Sequence, residues 1–210
     1  MARRHRTGPP RRRTTPQRER RQILVFVEGA RTEDGYLKHW GRRHRGQVIV
    51  NVHERHGTPL QLVDWAVSAQ RREVYEARHG RGSPHDEIWC VFDQDEHPKV
   101  DEAIARAEQH GIQVALSNPC IELWFILHYE DQTGHIGAGK AKKRALELTG
   151  CKETLTETAL KDLEARHDQA AMRAKALENK HEGDGSPPRH NPSSEIWRLV
   201  ERIRTPPAGQ

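Results

Sequence analysis

Three acids stand where their types and spacing could do chemistry. Glu28-Gly29 follows the apolar run Ile23 to Val27, and Asp93-Gln94-Asp95 follows a second run, Glu87 to Phe92 (EIWCVF). Both runs read as short strands buried on two faces. In open α/β sheets, ligands bind at the carboxyl ends of strands. A half-buried carboxylate there is costly unless it is paired or holds a metal. If the two strands are neighbours, their acids converge at one edge. A Glu with an Asp-x-Asp pair suits a hard cation, Mg²⁺ or Mn²⁺, and in an extended segment residues two apart face the same way. Such a cation activates water and stabilises the leaving oxygen of a phosphodiester. Strand ends also carry Asp as a turn residue. That explains one acid better than three acids on two strands.

The elements that must position these acids alternate. Strand patterns at about 22–28, 47–53, 87–92 and 112–116 are separated by helical patterns. Thr32 is placed to cap the first helix, and Thr58-Pro59 opens the second with a cap residue and Pro at its first position. A third helix runs over about 99–110, and a markedly apolar fourth follows Asn118-Pro119 with Glu122 within it. This βαβαβαβα order predicts an α/β fold with a mostly parallel four-stranded sheet flanked by helices. From Gly134 onward no strand pattern is visible. Helices are expected over 139–149, 156–180 and from about Glu195, as a C-terminal helical extension. The expected organisation is an Arg-rich disordered arm over 1–21, an α/β core over 22–131, the helical extension over 132–204 packing on that core, and a disordered tail over 205–210.

Charge is uneven along the chain. Residues 1–22 hold nine Arg against one Glu, a net +8, whereas the remainder carries a net −3. The basicity therefore belongs to the arm, where Arg11, Arg12 and Arg13 form its densest cluster. A basic arm is a common device for binding the phosphates of nucleic acid. The arm lacks aromatic residues to stack on bases, so a solvated extension explains it equally well. Lys140, Lys142 and Lys143 form a second basic patch, readable as a phosphate contact or as a solvated helix end. No apolar run approaches membrane-spanning length, and no apolar segment follows the first arginines as in a secretory signal. Cys90, Cys120 and Cys151 are widely spaced and odd in number, which suits a reducing cytoplasm.

Four blocks, VFVEGARTEDGYL (25–37), EIWCVFDQDEH (87–97), SNPCIELWFILHY (117–129) and NPSSEIWRLVERI (191–203), resemble the RloB family in order and spacing. The acids of the first two also look like those of the Toprim domain, the metal-binding module of topoisomerases, primases and some nucleases. The resemblance implies a bacterial anti-phage defence locus, an ABC-type ATPase partner encoded beside it, and a toxic nuclease activity with tRNA as one target. It carries Glu28 over as a metal ligand or general base, and Asp93 and Asp95 as the paired metal ligands. Glu33 matches a further acid of the first block; a first-turn glutamate favoured by the helix dipole reads the same way. Glu122 joins the catalytic candidates because a glutamate in an apolar helix needs a partner.

Other signals are weaker. Gly134 to Lys140 has the glycine and lysine spacing of a P-loop, but Ala141 stands where Ser or Thr would bind Mg²⁺ and no strand precedes it. His53-x-x-His56 reads as a loop with spare histidines rather than a zinc pair. His128 is expected to pack against Ile121, Trp124 and Phe125, and Asn118 to cap its helix. The expected function is a metal-dependent Toprim-type nuclease cutting RNA or DNA. The competing reading is a non-catalytic nucleic-acid-binding or sensor subunit on the same fold. A third, a nucleotidyl transferase or primase-like enzyme, requires a nucleotide site.

Overall fold

A computed structural model describes residues 20–94 and 97–205. The alternation seen in the sequence becomes a five-stranded sheet in the order β2-β1-β3-β4-β5. Its strands are β1 (Arg21–Val27), β2 (Val48–Val52), β3 (Glu87–Asp93), β4 (Gln113–Asn118) and β5 (Ser193–Ser194). The first four are parallel, and β5 joins β4 antiparallel. The helices between them are α1 (Thr32–Arg43), α2 (Pro59–Arg78) and α3 (Val100–Gln109), followed by α4 (Glu122–Tyr129), α5 (Ala138–Thr149), α6 (Glu157–Gly183) and α7 (Ile196–Arg204). Two apolar cores lie on opposite faces of the sheet. One gathers α1 and α4–α7 around Ile23, Val25, Trp40 and Trp124; the other packs α2 and α3 on Leu24, Phe26, Cys90 and Phe92. Successive β1 residues alternate between the cores, as period-two side-chain geometry requires.

The expected four-stranded sheet gains a fifth strand. Ser193 and Ser194 are polar and sit in a Pro- and Gly-rich stretch, so no hydrophobic pattern announces them. Their burial is balanced by partners: Ser194 Oγ lies 3.0 Å from Ser117 Oγ, and the Glu195 N–H donates to the Leu116 carbonyl at 2.8 Å. The C-terminal extension thus completes the sheet besides packing on it. Two capping expectations separate. The Thr58 N–H donates to Gln61 Oε1 at 3.0 Å, closing a capping box at α2. Thr32 instead lies inside α1 and donates its hydroxyl to the Glu153 carbonyl, because Arg31 occupies the cap position. Asn118 does not cap α4 either. It ends β4, and its side chain bonds the Arg189 carbonyl and Asn191, holding the 189–191 loop against the sheet.

Candidate active site

β1 and β3 are neighbours, with Val27 opposite Val91. This register sets Glu28, one residue past β1, beside the end of β3, where the Glu28 N–H continues the ladder to the Val91 carbonyl at 3.1 Å. Asp93 is the last residue of β3. Its backbone N–H donates to Glu28 Oε2 at 3.1 Å. The other Glu28 oxygen lies 2.6 Å from His97 Nε2. Glu28 therefore bridges the strand end to the segment beyond it. No sequence pattern points to His97, although it closes the second family-like block. Asp95 lies outside the described residues.

Two further acids face this edge. Glu33 sits in the first turn of α1, as the dipole reading allows, but it is only 7% exposed. Its carboxylate folds back over Gly29, near the backbone N–H groups of Glu33 and Gly29, which favour its charged form. Burial, and then Glu122 and Glu28, raise its pKa. Glu122 is the first residue of α4 and half-buried, at the helix start and not in its apolar middle. Asp93 feels all three acids. Its pKa stands well above the usual carboxylate range because of burial, then Glu33, Glu28 and Glu122. The edge therefore concentrates negative charge. Among the described residues, His97 is the side chain that ion-pairs with this group.

A divalent cation would relieve that repulsion, and the donor set, all carboxylate oxygens, has the hardness Mg²⁺ or Mn²⁺ prefers. Among the described residues, the set of three ligand atoms found within 4.8 Å of one another is that of His167, Asp168 and Glu201, far along the chain. Arg204 already neutralises that set, with Nη1 at 2.6 Å from Asp168 and 3.0 Å from Glu201. Mg²⁺ itself keeps several waters and takes only one or two protein carboxylates.

The basic candidates divide. Arg11, Arg12 and Arg13 lie outside the described residues. Lys140, Lys142 and Lys143 are all exposed on α5; Lys140 and Lys143, three residues apart, share one side of the helix, and Lys142 lies about 100° from Lys143. Lys142 lines a crevice with Thr32, Glu122, Phe125, Lys152 and Glu153, next to the acid edge. The Gly134–Lys140 stretch follows α4, not a strand, and so lacks the strand–loop–helix frame of a P-loop. His128 packs as expected. It is fully buried, its Nδ1 lies 2.8 Å from the Trp124 carbonyl, and burial lowers its pKa to about 3.

Residues 23–203 match the family described as RloB-like protein. The chain belongs to the RloB-like family. The match covers every strand and helix named above apart from the margins of β1 and α7, so the acid edge lies wholly within the family's extent. A search of curated proteins finds no match. Among the described residues, no helix is long and apolar enough to cross a membrane.

Proposed function

We propose that this RloB-like protein is a Mg²⁺- or Mn²⁺-dependent, Toprim-type nuclease that hydrolyses phosphodiester bonds of RNA, tRNA included, or DNA. The reading rests on one observation: Glu28 and Asp93 meet at adjacent strand ends, where burial and then the nearby acids Glu33, Glu28 and Glu122 push the Asp93 pKa upward. Glu28 and Asp93, with Asp95, would hold the cation. When bound, it supplies Lewis acidity to the phosphoryl group and acidifies an attacking water. The protein's own residues do the rest. The Asp93 N–H fixes one Glu28 oxygen. The other, beside His97 Nε2, is placed to accept the proton of the attacking water and share it with the imidazole. Water adds to phosphorus, the P–O bond to the leaving oxygen breaks, and that oxygen takes up a proton. The resemblance to Toprim effectors supports a role in cytoplasmic anti-phage defence, with an ABC-type ATPase as the controlling partner.

A second reading has its own observation. Both Glu28 oxygens are engaged by protein groups, as in a structural acid, which favours a non-catalytic nucleic-acid-binding subunit. One experiment separates the two. Protein with Mg²⁺ or Mn²⁺ is incubated with tRNA, plasmid and single-stranded DNA, beside Glu28→Gln and Asp93→Asn, and growth is followed on expression with and without the neighbouring ATPase. Cleavage or growth arrest lost in both variants supports the nuclease. Cleavage undiminished in both variants overturns the assigned site, and neither cleavage nor growth arrest under any condition supports the binding subunit.

A further inference from the structure

A second feature at the same end of the sheet is cationic, not acidic. The loop after β2 turns back on β1. The His53 N–H donates to the Val25 carbonyl at 2.8 Å, the His53 ring stacks on Phe26 at 4.5 Å, and His56 Nδ1 lies 3.2 Å from the Val27 carbonyl, one residue before Glu28. The loop also closes on α2. A Cβ at Gly57 would come within 3.0 Å of the Trp65 ring, so glycine allows the loop to seat on that indole. Between loop and helix lies a crevice lined by His53, Arg55, Trp65, Ser68, Ala69 and Arg72.

Its charges are uncompensated. Arg55 and Arg72 are both exposed, and among the described residues neither forms an ion pair. The Asp64 carboxylate on the same helix is taken by Arg106 at 2.5 Å. The Arg55 guanidinium lies over Trp65, 5.7 Å from the ring centre. Both guanidinium groups hold down the His53 pKa, after burial. Guanidinium groups suit phosphate, and bases of single strands stack on aromatic rings and on Arg planes.

We propose that this crevice is a nucleic-acid subsite that takes one unpaired nucleotide segment, with Arg55 and Arg72 on backbone phosphates and Trp65 as the stacking platform, leading the strand over the 53–58 loop toward Glu28. The inference rests on the nucleic-acid reading above but not on catalysis. A duplex keeps its bases stacked inside, so the subsite favours single strands.

The test is fluorescence anisotropy with a labelled single-stranded RNA oligonucleotide in EDTA, so that no cleavage contributes. Arg55→Ala/Arg72→Ala is expected to weaken binding about tenfold and to flatten the slope of log K against log salt by about 1.4, two phosphates at ~0.7 each. Trp65→Leu is expected to weaken binding about fivefold or more with the slope unchanged. Binding measured in EDTA is read apart from cleavage measured with Mg²⁺, so loss of cleavage and loss of binding are distinguished. Wild-type affinity and slope in the double Arg variant, with its melting temperature unchanged, overturns the subsite. So does a wild-type protein that binds duplex RNA of the same sequence as tightly as the single strand, or that binds neither.

Discussion

Gly29→Ala is expected to destabilise the protein by about 2 kcal/mol, and to do so through Glu33. A Cβ at position 29 would lie 2.5 Å from Glu33 Oε1 and 2.6 Å from its Cδ. Comfortable carbon contacts are about 3.5–4.0 Å, so the overlap approaches 1 Å. Glu33 is buried, so its carboxylate must leave a closed position and the nearby Glu33 and Gly29 backbone N–H groups that favour its charge. Overpacking costs about 1–3 kcal/mol, and hydrogen bonds to a charged group contribute about 1.5–3 kcal/mol. Relief of the repulsion from Glu28 and Glu122 offsets part of the sum. At roughly 2–4 °C per kcal/mol for a chain of this size, the melting temperature should fall by about 4–8 °C. The assay is a double-mutant cycle by urea or thermal unfolding: wild type, Gly29→Ala, Glu33→Ala and both. In the Glu33→Ala background most of the penalty should vanish, a coupling of about 1 kcal/mol or more. Equal penalties in both backgrounds would refute the placement of the Glu33 carboxylate over Gly29.

Asp93→Asn should stabilise the metal-free protein near neutral pH. A raised carboxyl pKa means stability is lost as pH rises from the unfolded value through the folded one, at about 1.4 kcal/mol for each pH unit between them; unfolding at pH 4 and pH 8 should show the difference only at the higher pH. Mn²⁺ titration followed by thermal shift should raise the wild-type melting temperature, and Glu28→Gln/Asp93→Asn should abolish the rise; an equal rise in both would place the cation elsewhere. His128 titrates with the opposite sign. Its pKa is lowered to about 3, so stability should fall by up to about 1.4 kcal/mol per pH unit as pH drops below about 6.5, and His128→Phe should remove that part of the slope. Tyr36→Phe leaves the buried Trp124 indole N–H without its 2.8 Å acceptor, which should cost about 1–3 kcal/mol in chemical denaturation.

The alternation of apolar runs and amphipathic stretches reveals the four parallel strands and their helices, because each strand is buried on both faces. It also leads to Glu28 and Asp93 at one edge, since acids stand out at the end of an apolar run. Glu33 is harder to read. A first-turn glutamate is ordinarily solvated, and only a glycine four residues earlier hints that its carboxylate folds inward. His97 lies beyond Asp93 with no periodic pattern to direct it. Ser193–Ser194 is a strand by hydrogen bonding alone, so hydrophobic patterning cannot reveal it. The Arg55–Arg72 crevice joins residues from a loop and from the middle of α2, and nothing local in either signals the other.

Arg21 begins β1, and its side chain reaches the Arg202 and Thr205 carbonyls at 2.7 and 3.1 Å while lying 3.5 Å from Glu87. The start of β1 and the end of α7 are thereby buckled together at the amino rim of the sheet. Glu28 lies at the opposite rim, about 23 Å away for seven residues of strand. A partner that docks on this rim itself holds the molecule by its base and leaves the acids open. Its influence on them would have to be conducted along β1 and β3, as through a lever, and would not come from covering them.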